Sequence, residues 1–180
     1  MNFDYIVFRD KLIQSLENYF FEITKKYTDI YAFTLDCTGD VRSIGVIANT
    51  KANLEKQAQV DDEDYPYYQY CEAEWAIFHT FKDLSEEMSQ FLETDRDTFT
   101  NPHTYMFTES FHEHVKKVMA ACDEAIIRLK ASEHFQKHPS IMLNFVIEDD
   151  SDKMNRVERY IRLNGTKAAR DYEIHYDEFA

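Results

Sequence analysis

Apolar positions recur along the chain at two periods, and these divide it into helices and strands. From Phe3 to Tyr27, Phe8, Leu12, Leu16, Tyr19, Phe20, Ile23 and Tyr27 return at three- and four-residue steps, with Asp10, Lys11, Glu17 and Glu22 among them. That spacing lines one face of a long amphipathic helix. Tyr31, Phe33 and Leu35 then alternate with Ala32, Thr34 and Asp36, which predicts a strand. Thr38-Gly39-Asp40 supplies turn material, and a second apolar run from Val41 to Ala48 completes a hairpin. Gly45 inside that run marks either a bulge or a place where another element packs close to the backbone.

Asn49-Thr50 can cap a short helix from Lys51 to about Gln59, anchored by Leu54. The acids Asp61 to Asp64 follow as a solvated run, then the densest aromatic stretch, Tyr65, Tyr67, Tyr68, Tyr70 and Trp75. Residues 70–75 either finish a strand or open a helix, and periodicity leaves both open. Leu84, Met88, Phe91 and Leu92 give Asp83 to Glu93 helical spacing, and Thr94 to His103 reads as a loop. Phe111, Val115, Val118, Met119, Cys122, Ile126 and Leu129 specify a further long helix, with Thr108 and Glu109 placed to cap it. Ile141 to Ile147 is apolar in both alternating sets, which predicts a central strand covered on both faces. Ser151 can cap a polar helix through Arg162. These elements predict an α+β fold, a small mainly antiparallel sheet flanked by several amphipathic helices. One globular domain spans residues 1–165, followed by a charged C-terminal tail, 166–180.

Composition narrows the function. The 34 acids against 20 Lys and Arg give a formal net charge of −14, which opposes direct binding to nucleic acid or an anionic membrane and suits a basic protein partner. Cys37, Cys71 and Cys122 are widely spaced, so neither a disulfide framework nor a zinc site is expected, and reduced thiols fit a cytoplasmic location. Met1-Asn2-Phe3-Asp4-Tyr5 has no basic run or small-residue cleavage site and no stretch approaches eighteen apolar residues, so neither export nor a membrane span is expected.

Candidate chemistry is sparse. His112 and His114 are two residues apart, so on a helix their rings diverge by roughly 200°, the wrong geometry for a shared metal. Gly39, Gly45 and Gly165 are isolated, which removes the phosphate-binding loops. No metal and no cofactor is expected. Glu72 and Glu74 beside Trp75 imitate a paired-carboxylate site, but the favoured reading is one hydrogen-bonded structural Glu and one surface Glu. The tyrosines read first as core packing, second as anchors of a protein-binding surface.

The strand Tyr31-Ala32-Phe33-Thr34-Leu35, the segment from Ser43 to Thr50 with its Ala48-Asn49-Thr50 element, Tyr67-Tyr68 followed by Ala73-Glu74-Trp75, the Phe111 helix and the strand from Leu143 to Asp150 together resemble the bacterial domain-of-unknown-function family 4303. The resemblance spans nearly the whole chain. It departs at Cys71-Glu72, where a Ser-Pro-like pair is expected. The family has no established catalytic residues; its members look like accessory single-domain proteins, some encoded near polymorphic toxins, much like the SUKH superfamily of immunity proteins.

The expectation is a non-catalytic immunity protein that occludes the cleft of a toxin, a basic nuclease by preference. Asp61, Asp62, Glu63, Asp64, Glu72, Glu148, Asp149, Asp150 and Asp152 would meet the partner's Lys and Arg, and Tyr65, Tyr67 and Tyr68 would bury against it. Two alternatives stand beside it: a hydrolase or transferase with a site around Glu74, Trp75 and a histidine, and a structural homodimer.

Overall fold

The hydrophobic stripe of the first helix faces a sheet. In a computed structural model, which describes residues 3–147 and 153–166 (153–155 by backbone only), α1 runs from Tyr5 to Lys26. The Asp4 carboxylate accepts from the backbone N–H groups of Ile6 and Val7, satisfying two of the donors a helix start leaves open. Phe8, Leu12, Leu16, Phe20 and Ile23 are buried on one side. Under this stripe lies β1 (Ile30–Cys37), where Phe33 meets Phe20 edge to face at 5.1 Å. Full burial of a side chain such as Phe20 stabilises the fold by roughly 1.5–3 kcal/mol.

β1 turns into the antiparallel β2 (Ile44–Thr50), which leads directly into α2 (Lys51–Gln57). The turn is longer than the apolar pattern predicts, because Thr38 organises it: its hydroxyl accepts from the N–H of Arg42 and of Ser43. Val41 consequently adopts φ 48° and buries its side chain completely instead of starting the strand. Thr50 caps α2 as its position predicts, accepting from Asn53 N–H at 3.1 Å. α3 (Tyr65–Tyr70) and a single 3₁₀ turn, Glu72–Glu74, settle the ambiguous aromatic segment as helical, and Trp75 ends it 2% exposed.

A strand that periodicity does not announce follows, β3 (Ile77–Thr80), four residues paired antiparallel to β2. The reason for Gly45 is now plain: a Cβ there would lie 2.3 Å from the carbonyl oxygen of His79, so close packing by β3 requires the glycine. α4 (Lys82–Thr94), the short α5 (Arg96–Phe99) and α6 (Glu109–Ala131) come next, so the expected loop after Thr94 contains one turn of helix. Thr108 caps α6 as expected. α6 lies parallel beside α1, with Tyr5 bonded to His114 near their starts and Thr24 bonded to His134 beyond the end of α6.

The last strand, β4 (Met142–Ile147), pairs parallel to β1, and α7 (Lys153–Asn164) packs beside it. The sheet order is β3-β2-β1-β4, so β4 is an edge and not the central strand its composition predicts. Its residues are buried because helices cover it. The Asn164 side chain also completes the edge, accepting from Leu143 N–H at 2.8 Å and donating to Leu143 C=O at 2.6 Å, as a further strand would. The whole is an α+β fold with a mostly antiparallel sheet. No helix among the described residues is long and apolar enough to cross a membrane.

Candidate functional site

The segment from Gln57 to Trp75 is tied to the sheet by polar side chains. Asn49, fully buried near the end of β2, donates to the Tyr31 hydroxyl at 3.2 Å, and Tyr31 in turn donates to the carbonyl of Gln69 at 3.1 Å. Burial raises the Tyr31 pKa, so the phenol remains a donor. Asn53 donates to both Asn49 and Gln57, and Gln57 donates to the backbone carbonyl of Glu74 at 2.8 Å. Asn53 and Gln57, four residues apart, share one side of α2, and Asn49 at the end of β2 continues their line. From β4, Asn144 donates to the Glu72 carboxylate at 3.0 Å. Burial is the main cause that raises the Glu72 pKa, with Arg156 and Asn144 opposing it.

Glu72 therefore turns inward to Asn144, while the Glu74 carboxylate accepts from the Tyr67 hydroxyl at 3.1 Å. Hydrogen bonding with Cys71, and secondarily with Glu74, pushes the Tyr67 pKa up to about 12. This holds Tyr67 as a proton donor at neutral pH, unsuited to act as a base. Among the described residues no histidine is hydrogen-bonded to Glu74. Two buried polar atoms nearby, Thr34 Oγ1 and Trp75 Nε1, have no protein partner.

Asp61, Asp62, Glu63 and Asp64 are all exposed, on the approach to α3. Asp62 accepts from Gln59 N–H at 2.6 Å, which curls the approach into a turn, and Asp64 occupies the α3 N-cap position without a side-chain bond to the helix. Tyr65, Tyr67 and Tyr68 are half-buried, and the last two meet edge to face at 5.3 Å. The four acids and three tyrosines follow one another along the chain as a strip, residues 61–68, and Glu72 lies just past its end with its carboxylate engaged. Glu148, Asp149, Asp150 and Asp152 lie outside the described residues, as does the tail beyond 166.

The two histidines of α6 separate as their spacing requires: His114 is buried, His112 exposed. Cys122 is fully buried and burial pushes its thiol well up, consistent with a small core residue. The residues that anchor the segment, Tyr31, Asn49, Asn53, Gln57 and Asn144, were not among the sequence candidates. Two signals mark them: the four-residue amide ladder, and a single amide inside the otherwise apolar run of β4.

No curated protein and no solved structure matches the chain. A family model does match, over residues 12–165, which takes in every described element but the first turns of α1. The chain belongs to the family described as a domain of unknown function, DUF4303.

Proposed function

We propose that this protein works by binding: a bacterial immunity protein that neutralises a toxin, a basic nuclease in the first instance, by covering its active cleft. The observation that carries this reading is the strip 61–68, where four consecutive exposed acids adjoin half-buried tyrosines on a segment braced against the sheet. A braced segment loses little conformational freedom on docking, and tyrosines supply contact area with few rotors. The net charge of −14 extends the attraction to a basic surface over about 8 Å at physiological ionic strength. Carboxylates on such a strip would compete with phosphates for Lys and Arg in the partner's cleft.

The test begins with affinity capture from the bacterial host and identification of a basic toxin domain among the captured proteins. Association is then measured with the four acids reversed to Lys. Steering by the strip predicts at least a tenfold slower on-rate and a flatter dependence on salt. An on-rate indifferent to the reversal removes the strip from the mechanism.

A further inference from the structure

One edge of the sheet is closed and the other is open. Asn164 and α7 complete β4, whereas among the described residues nothing pairs with the outer edge of β3. The bond from Phe81 N–H to Ile44 C=O, 2.9 Å, fixes the phase of the β2–β3 ladder. By the alternation of an antiparallel pair, His79 and Ile77 turn their backbone groups toward β2, while Phe78 and Thr80 turn theirs outward. Phe78 is 62% exposed, an unusual place for a large apolar side chain beside unpaired backbone.

Two hollows flank this edge, each with α1 on one side and the β3 region on the other. One, of about 410 Å³, lies between Tyr19 and Ile77; the second, of about 500 Å³, lies between Ser15 and Phe81. The ring of His79, stacked on Tyr19 at 4.1 Å, divides them. Ile77 and Phe81 are four residues apart, about 13 Å along an extended chain. The arrangement supplies both parts of strand addition, main-chain groups for affinity and hollows for alternate side chains.

We propose that the outer edge of β3 and the adjoining face of α1 bind an extended segment of a basic partner protein, which adds a fifth strand to the sheet. The segment places two bulky apolar side chains, four residues apart, in the hollows, with a small residue opposite His79. Each hollow brings one acid and one base, Glu22 with Lys26 and Asp83 with Lys82, so the anchors themselves are selected by shape. Charge selects the rest: copies carrying −14 each repel one another, and the same field draws a basic chain. This surface rests on the binding role proposed above, and it names where the partner's backbone would dock.

The probe is a library of heptapeptides with Lys or Arg at the even positions and all residues allowed at the odd ones. Strand addition predicts enrichment of large apolar residues four apart, with a small residue midway. Exchange of the Phe78 and Thr80 amides should slow at least tenfold in the complex, and N-methylation of the peptide amides that face β3 should weaken binding at least tenfold. Thr80→Pro, which deletes an outward donor and spares the ladder to β2, should lose binding while its near-ultraviolet circular dichroism stays native. Peptides that bind with no change in exchange at Phe78 and Thr80, or that tolerate N-methylation, overturn the proposal. If such peptides lose affinity when Asp61 to Asp64 are reversed to Lys, the acidic strip survives and only the edge fails. Absence of any enrichment overturns it too. Protection of the two amides that grows with protein concentration in the free protein would give the edge to a second copy and equally refute it.

Discussion

Gly45→Ala tests the packing of the sheet at one atom. The added methyl would sit 2.3 Å from the His79 carbonyl oxygen and 3.2 Å from the Thr80 Cα, both backbone atoms that no rotamer change can remove. Contacts of a real Cβ essentially never fall below 3.0 Å, so β3 must retreat by about 0.7 Å at this point. A hydrogen bond of 2.9 Å, the length of Phe81 N–H to Ile44 C=O, would stretch toward 3.6 Å and cease to be one. Loss of two such bonds, at about 0.5–1.5 kcal/mol each, predicts a destabilisation of about 1–3 kcal/mol, in the range typical of overpacking. The slightly better strand propensity of alanine offsets only a fraction of this. Urea denaturation reads the stability, and amide exchange at Ile77 and His79 reads the ladder itself. A variant within 0.5 kcal/mol of the parent, with the exchange of those two amides unchanged, would refute the reasoning.

Three further outcomes follow from the interior. Asn164→Leu leaves both the N–H and the C=O of Leu143 without their partner, and should cost about 1–3 kcal/mol by urea denaturation; an unchanged midpoint would show that the edge of β4 is satisfied otherwise. His114 sits among Phe3, Tyr5, Phe91 and Phe99, and burial lowers its pKa to about 4, with Lys117 adding to the effect. Between pH 6.5 and 4 the unfolded chain therefore binds the proton first, so stability falls on acidification, by about 2 kcal/mol once residual solvent screening is allowed for, and His114→Phe should flatten that slope. Glu72, its pKa raised by burial, acts in the opposite sense: the fold favours its protonated form, so Glu72→Gln should stabilise the protein at pH 8, with the gain shrinking as the pH falls toward 4. A gain that grows on acidification would place Glu72 in a favourable ion pair.

Helices, caps and the hairpin are readable along the chain because each is specified locally. The stripe of α1, the Thr50 and Thr108 caps and the alternation of β1 are set by residues within a few positions of one another. β3 is hidden because four residues cannot establish a period and because its neighbour, β2, carries the signal instead, as a glycine. β4 reads as central because apolarity on both faces records coverage and not position, and here helices supply that coverage at an edge. The acidic strip is legible as a run of like charge; the Tyr31 and Asn144 bonds that brace its neighbourhood are not, since they join residues 38 and 72 positions apart.

The parallel pairing of β1 with β4 also bears on how the chain emerges during synthesis. Ala32 must wait for Met142, 110 residues later. At elongation rates of about 5–20 residues per second, that delay is on the order of 5–20 s, far longer than the microseconds a hairpin needs. The β1–β2 hairpin and α1 can therefore assemble on the ribosome as a half-sheet with one apolar flank bare, and α6 together with β4 closes it afterwards. The nascent chain's need for shielding during that interval is written into its topology.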